Sequence, residues 1–188
     1  MASYRAVSKR LRTLLTLALC ACASGWTVHT DHDPAADFSS YGRFSWLPRP
    51  VEMTGDPRVD NPLLHTRVRF AVEQELASKS YVKILEGTPD FYIGYHLSLT
   101  TKLDARTVDA HYGYGPAGRW GRMGIPETRY FEYEEGILVL DIVDAKLGKL
   151  VWRGSGQRRI GEASSTPEES ERRVREAVAE VLKYFPPE

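Results

Sequence analysis

The sequence predicts an α+β fold in two layers, with a mostly antiparallel β-sheet and two helices packed on one face of it. Three observations support this prediction: a hairpin pattern across residues 135–159, a long alternating stretch that begins at Phe91, and two amphipathic segments near residues 61–76 and 166–185. The length of 188 residues, of which 42% are hydrophobic and 27% charged, suits one packed domain preceded by a targeting segment.

The hairpin pattern is centred on a tight turn. Residues 137–143 are almost wholly apolar and β-branched, which is typical of a strand covered on both faces. Residues 144–149 then form a turn that aspartate opens and glycine closes, and residues 150–152 restart the strand. Pairing the first residue of the turn with the last sets a register that places Asp141 opposite Trp152.

Alternation and β-propensity predict five further strands. Residues 27–33 alternate but are so polar that we expect a strand near an edge of the sheet. Residues 38–47 carry four aromatic side chains and form a second strand. Residues 91–103 are the clearest one-sided strand, because apolar and polar side chains alternate throughout. Shorter strands at residues 81–85 and 128–134 complete the sheet.

Both helices begin with a local pattern that fixes their first turn. Asn61 followed by Pro62 is a cap with proline at the first helical position. Thr166 and Glu169 form a capping box around Pro167. Apolar residues then recur at helical spacing; they are Leu64, Val68, Ala71, Val72 and Leu76 in the first helix and Val174, Ala177, Val178, Val181, Leu182 and Phe185 in the second.

The first 24 residues have the three parts of a secretory signal peptide. A basic stretch ends at Arg12, an apolar run spans residues 14–21, and small residues surround two cysteines. The apolar run is too short to remain as a membrane-spanning helix. We therefore expect the segment to be cleaved during export.

Two cysteines compete as the site of cleavage and lipidation. The segment before Cys22 resembles a bacterial lipobox, because Leu19 stands three residues before it and the small Ala21 directly before it. Cys20 has the bulky Leu19 directly before it and fits less well, and ordinary cleavage after Ala23 also satisfies the small-x-small rule. We expect diacylation of Cys22, since acyl chains anchor strongly and a lone free thiol would otherwise remain exposed.

The position of Cys22 also predicts where the domain lies. It is followed by Ala23 rather than by the aspartate that retains lipoproteins in the inner membrane, which by resemblance to Gram-negative lipoproteins implies the outer membrane, facing the periplasm. Four residues between Cys22 and the first strand reach about 14 Å at most, so the domain must lie against the membrane. The expected organisation is a lipoprotein signal peptide (1–21), a short lipid-anchored tether (22–26) and a single α+β domain (27–188).

Charge and composition exclude several classes of ligand. The whole chain has no net charge, but removal of the signal peptide leaves 21 basic and 25 acidic residues, and a mildly acidic domain is not a nucleic-acid binder by electrostatics. Both cysteines precede the domain, which therefore has no disulfide or thiolate site. The side chains of His29, Asp31 and Asp33 are of metal-ligand type, but a solvated strand face explains them, and His96 is interpreted as exposed and structural. We expect no metal and no cofactor.

Residues 112–124 are rich in glycine and aromatic residues and have no periodicity. One interpretation is a mobile loop that joins two strands. The other is a binding loop, in which glycine permits close approach, aromatic rings supply contact area and arginine supplies charge. The candidate binding residues are Tyr112, Tyr114, Arg119, Trp120 and Arg122.

Several motifs, in order along the chain, resemble one family. They are Asp31-x-Asp33-Pro34 with Phe38, Tyr41 and Trp46, then Pro89-Asp90-Phe91, then residues 136–154 with Asp141, Asp144 and Leu150-Val151-Trp152-Arg153-Gly154, and finally Phe185-Pro186-Pro187. The chain resembles the bacterial lipoprotein family called domain of unknown function 4136 over essentially its whole mature length. The resemblance implies a two-layer α/β domain anchored to a membrane, and it transfers no catalytic residue, because the family has no assigned activity. One departure is Ser80, where members often have glycine, and serine there should strain or shorten the helix end.

Three function classes follow from these patterns. An enzyme is not expected, because no nucleophile-elbow, zinc-protease or phosphate-loop motif occurs, and Asp141 and Asp144 have structural interpretations in a strand and a turn. The favoured class is an interaction or accessory module of the cell envelope, which contacts the membrane by its lipid anchor and binds a protein, lipid or glycan partner. The alternative is a periplasmic carrier of a small molecule or lipid, which requires a pocket between sheet and helices.

Overall fold

The predicted hairpin joins two of the longest strands of the sheet. The computed structural model describes residues 25–48, 53–108, 127–161 and 166–188. Within these ranges the elements, in chain order, are β1 (Thr27–His32), a short 3-10 helix (Phe38–Ser40), β2 (Arg43–Trp46), α1 (Pro62–Ser78), β3 (Val82–Lys83), β4 (Phe91–Val108), β5 (Glu127–Asp144), β6 (Leu150–Ile160) and α2 (Pro167–Leu182).

The six described strands form one mixed sheet in the order β1-β6-β5-β4-β2-β3. The pairs β1–β6, β6–β5 and β5–β4 are antiparallel, whereas β2 pairs in parallel with both β4 and β3. The predicted α+β class and mainly antiparallel sheet are confirmed. The parallel pair β2–β3 was not predicted, and it is possible because α1 provides the long crossover that parallel neighbours need.

The register predicted for the hairpin holds only next to the turn. The Asp144 N–H donates to the Lys149 carbonyl at 2.9 Å, as expected. Further along, the pairing shifts by one residue, so Asp141 lies opposite Arg153 and not opposite Trp152. The cause is a β-bulge that leaves Val151 unpaired and turns both Val151 and Trp152 towards the buried side.

The strand predicted over residues 38–47 is also shorter than expected. Residues 38–40 form a 3-10 turn, because the Asp37 carboxylate accepts hydrogen bonds from the backbone and hydroxyl of Ser39 at 3.2 and 2.6 Å. This local capping competes with strand formation. Only Arg43–Trp46 pairs in the sheet, and the aromatic residues before it pack by ring contacts, such as Phe38 against Phe185.

Both predicted helix starts are confirmed. The Asn61 side chain accepts a hydrogen bond from the Leu63 N–H at 2.9 Å, and the Thr166 hydroxyl accepts one from the Glu169 N–H at 3.2 Å. Each cap satisfies a backbone donor that the first helical turn leaves free.

The end of α1 is closed by a residue in the left-handed conformation. Ser80 has φ +70°, and its N–H donates to the Ala77 carbonyl while the N–H of Tyr81 donates to the Leu76 carbonyl, each at 3.0 Å. These two bonds are those of a Schellman motif, in which the left-handed position is usually glycine. The serine therefore does not prevent the motif, but it holds a conformation that costs an L-residue energy.

One apolar cluster forms the core. It contains the alternate residues of β4 and β5 that begin at Phe91 and Leu138, together with the apolar stripes of both helices. At β6 the cluster needs glycine, because a Cβ at Gly154 or Gly156 would lie 2.6 or 2.7 Å from a methyl group of Val181. The fully buried large side chains are Trp152, Phe44, Phe91, Phe185, Leu76, Ile93, Leu140, Ile142, Leu182, Val68, Val72 and Val151.

Candidate functional site

The predicted site residues lie outside the described part of the chain. Cys22 precedes residue 25, and the five candidate binding residues Tyr112, Tyr114, Arg119, Trp120 and Arg122 fall within residues 109–126. The structure does describe both strands that lead to this segment. The candidate site is therefore built from the ends of β4 and β5 and from the sheet beside them.

Strands β4 and β5 extend well beyond the rest of the sheet. Their pairing continues to Val108 opposite Glu127, whereas the last pair between β5 and β6 is Glu134 with Ile160. Residues 102–108 and 127–133 thus form a two-stranded projection, which we call the β4–β5 arm. Seven residues of extended strand span about 23 Å.

Two arginines hold the base of the β4–β5 arm, one on each face. The Arg159 guanidinium lies 3.7 Å from the centre of the Tyr133 ring and 3.7 Å from an Asp104 carboxylate oxygen. From the loop before α1, Arg58 donates two hydrogen bonds to the Glu134 carboxylate at 2.9 and 3.0 Å. Both bonds come from Nη1 of Arg58, whose Nε and Nη2 donate to Asp56. This charged contact and the stacked Tyr133 ring restrict the direction in which the β4–β5 arm points.

The β4–β5 arm exposes large apolar side chains on both faces. Leu103 and Tyr130 lie on the same side of the sheet as the core and are 67% and 70% exposed. Phe131 lies on the opposite side and is 46% exposed. Leu103 lies opposite Glu132, and Phe131 lies opposite Asp104. These three side chains lie in the half of the arm nearest the sheet. Neighbouring exposed aromatic and aliphatic residues on a projection are typical of a contact surface.

The open face of the sheet, opposite the core, carries a charged row. Arg153 donates from Nε and Nη2 to the two oxygens of Asp141, at 2.6 and 2.7 Å. These hydrogen bonds to the Asp141 carboxylate raise the pKa of the Arg153 guanidinium. His96 Nε2 lies 3.8 Å from the same carboxylate, and Asp31 of β1 lies opposite Arg153 on its other side. Among the described residues, Asp141 is the one buried charged residue. Its carboxylate oxygens are hydrogen-bonded to Arg153, a neighbour on the same face of the sheet.

The second carboxylate considered for catalysis, Asp144, closes the hairpin turn. Its oxygens accept hydrogen bonds from the backbone N–H groups of Lys146 and Leu147 and from the Tyr41 hydroxyl, at 2.9, 2.7 and 2.8 Å. Burial alone would raise the pKa of Asp144, but these hydrogen bonds outweigh it and lower the pKa. Burial and the same carboxylate raise the pKa of Tyr41. Asp144 thus fixes the turn that its sequence position predicts.

The two aspartates of metal-ligand type, Asp31 in β1 and Asp33 directly after it, serve local backbone contacts. Asp31 accepts a hydrogen bond from the His32 N–H and Asp33 accepts one from the Ala35 N–H, both at 2.9 Å. The described ranges contain no group of three or more histidine, cysteine, aspartate or glutamate side chains placed to hold a metal ion. In the same ranges neither helix is long and apolar enough to cross a membrane.

A family model described as Domain of unknown function (DUF4136) matches residues 28–187, nearly the whole of the described domain. The chain belongs to this family. The resemblance inferred from the motifs is thereby confirmed. No curated protein matches the sequence.

Several solved structures are similar to this family member. A PDZ domain protein from Parabacteroides distasonis is similar with a TM-score of 0.52 at 15% identity, covering 87% of this chain and 36% of that protein, so the chain spans about a third of its length. PelC dodecamers from Paraburkholderia phytofirmans are similar with a TM-score of 0.47 at 13% and 14% identity, covering 84% of this chain and 94% of theirs. At 15% identity, the similarity to the PDZ domain protein concerns the fold alone.

Sequence reasoning missed the length of the β4–β5 arm and its exposed residues. The predicted strands ended at Leu103 and began at residue 128, but the observed ladder runs to Val108 and Glu127. A clue was present, because the chain remains β-branched at Thr107, Val108 and Thr128. The charged residues Asp104 and Arg106 interrupt the alternation directly after Leu103, where the predicted strand ended.

Proposed function

We propose that this family member is a lipid-anchored lipoprotein of the outer membrane, facing the periplasm, that acts as an interaction module of the cell envelope. The support is the signal-peptide pattern with its lipobox at Cys22. No catalytic role is assigned to any residue, and no cofactor is invoked. A partner would be a protein, lipid or glycan of the envelope.

We further propose that the domain has two layers, with both helices on the core face. Several contacts support this arrangement: Val181 of α2 lies against the β6 glycines, Glu73 of α1 accepts a hydrogen bond from the Trp46 indole at 2.7 Å, and Arg67 of α1 donates to Ser170 of α2 at 3.2 Å. In this arrangement the open face and the β4–β5 arm are both available to a partner.

The contact surface in this proposal is the end of the β4–β5 arm, including the loop with Tyr112, Tyr114 and Trp120. The observation that carries it is the projection of two fixed strands towards a segment rich in aromatic residues and arginine. A connection that only joined two strands would need two to five residues, whereas residues 109–126 separate these strands. Binding residues are often placed on such connections by a rigid scaffold.

Cross-linking in intact cells tests the proposal. The triple variant Tyr112→Ser, Tyr114→Ser and Trp120→Ser should keep its thermal stability and lose its cross-linked partners. A control is Tyr184→Ser, which removes an exposed aromatic ring that lies after α2. Unchanged cross-links would refute the contact surface. Co-purification of a bound small molecule or lipid, unaffected by the triple variant, would instead support a carrier.

A further inference from the structure

The β4–β5 arm and the start of the domain lie at the same end of the sheet. Thr27, the first residue of β1, pairs with Gln157, which pairs with Ile137. Ile137 in turn pairs with Ser98 of β4. These four paired residues form a row that crosses the sheet from β1 to β4, and β4 continues from Ser98 into the arm. Because β1 begins on this row, the preceding chain leaves the sheet on the side to which the arm extends.

The β4–β5 arm is longer than the tether that precedes β1. Leu103 lies five residues beyond Ser98 in β4 and Val108 lies ten residues beyond it, or about 17 and 34 Å along an extended strand. The five residue steps from Cys22 to Thr27 span about 18 Å at most when fully extended. If the acyl chains of Cys22 are held in a bilayer, the distance from Thr27 to the bilayer surface is therefore no greater than the distance from Ser98 to the middle of the arm.

We propose that the β4–β5 arm rests in the lipid surface, with Leu103, Tyr130 and Phe131 in the headgroup region. This inference rests on the proposed anchorage at Cys22 and names the bilayer as the partner of the arm. These three side chains lie five to seven residues beyond the row, at the depth that the tether allows. Tyrosine and phenylalanine suit that depth, because an aromatic ring combines apolar area with tolerance of a wet boundary.

The contacts at the base of the arm keep it extended towards the bilayer. Arg159 stacks on Tyr133 on one face, and Arg58 binds Glu134 on the other, so bending the arm back over either face would break a charged contact. A lipid surface is favoured over a second protein, because the tether length alone brings the arm to the bilayer. The bilayer then covers the exposed apolar side chains, and no additional protein partner is needed to cover them.

Single-cysteine labelling of the full, processed lipoprotein tests the inference. The domain contains no cysteine, and the thiol of a lipidated Cys22 is blocked, so an introduced cysteine is the only reactive site. The variants are Leu103→Cys on the arm and Leu147→Cys in the hairpin turn at the opposite end of the sheet. The two leucines have similar exposure, 67% and 60%, which makes the second variant a matched control.

The labelled proteins are placed in vesicles of phosphatidylethanolamine and phosphatidylglycerol that contain nitroxide-labelled lipids. We expect a blue shift and strong quenching of an environment-sensitive fluorophore at position 103, and neither change at position 147. The triple variant Leu103→Cys, Tyr130→Ser and Phe131→Ser should lose much of the quenching, because the anchoring side chains are gone while the label remains.

Three other results would overturn the inference, each in a different way. An anchored protein whose label at position 103 stays in water would leave the anchorage intact and refute the arm contact. A mature protein whose intact mass shows no acyl chain at Cys22 would refute both. A blue shift at position 103 that persists in the chain lacking residues 1–22, without vesicles, would assign the arm to contact between copies of the chain.

Discussion

Replacing Ser80 by glycine should stabilise the protein. Ser80 holds φ +70° in the Schellman motif that ends α1, and a left-handed conformation costs an L-residue about 1–2 kcal/mol. Glycine removes this cost but makes the unfolded chain more flexible, which takes back about 0.4–1 kcal/mol. The expected net gain is about 0.5–1 kcal/mol, and a domain of this size then gains about 1–4 °C in Tm.

The control for this change lies two residues earlier. Ser78 is the last helical residue of α1, and its hydroxyl donates to the Glu75 carbonyl at 2.7 Å. Ser78→Gly adds the same flexibility to the unfolded chain without relieving any left-handed strain, so it should lower stability by about 0.5–1 kcal/mol. The Ser80→Gly and Ser78→Gly variants thus differ in the sign of their effect.

Urea unfolding followed by circular dichroism measures both variants. The transition midpoint should rise for Ser80→Gly and fall for Ser78→Gly, and the slope of each transition should stay unchanged, because the surface exposed on unfolding is the same. If Ser80→Gly lowers the midpoint as far as Ser78→Gly does, the left-handed residue carries no strain and the reasoning is wrong.

Three further predictions concern the core and the charged contacts. Gly154→Ala should lower the free energy of unfolding by about 1–3 kcal/mol through overpacking, measured by urea unfolding. Gly161→Ala should change it little, because no atom of the described residues lies within 4 Å of a Cβ at that position, and equal effects would contradict the packing argument. Asp141→Asn should cost about 1–2 kcal/mol in the same assay by weakening a partly exposed bidentate pair, and a neutral result would show that solvent screens it fully. Because the pKa of Asp144 is lowered in the folded state, its contribution to the free energy of unfolding is complete above the unfolded pKa of about 4 and is lost as the pH falls through the folded pKa. Asp144→Asn should therefore reduce the loss of stability that urea unfolding measures as the pH is lowered.

Features determined by neighbouring residues could be predicted from the sequence. The starts of both helices follow from Asn61 and Thr166, whose side chains cap donors two or three residues away. The hairpin turn follows in the same way from Asp144 and Gly148, and Gly148 does adopt a positive φ of +64°. Each of these patterns is complete within six residues, so distant parts of the chain do not alter it.

Features determined by distant residues could not be predicted. The bulge at Val151 turns two consecutive side chains inwards, and only the packing of the core makes that favourable over regular alternation. Strand β2 pairs in parallel with residues 82–83 and 91–93, and no local sequence pattern indicates these partners. For the candidate site, composition drew attention to residues 112–124, which lie outside the described ranges, but it did not indicate the length of the arm before them.

The place of β1 in the sheet imposes an order on synthesis and folding. Within the described sheet, the first strand pairs with the last strand alone, and Thr27 and Gln157 are 130 residues apart in the chain. At a synthesis rate of about 5–20 residues per second, β1 waits on the order of 10 s for its partner. A polar strand with His29 and Asp31 is suited to that wait, since an apolar unpaired edge would recruit other chains. The polarity of β1 thus protects the nascent chain during the interval in which the sheet is still open at that edge.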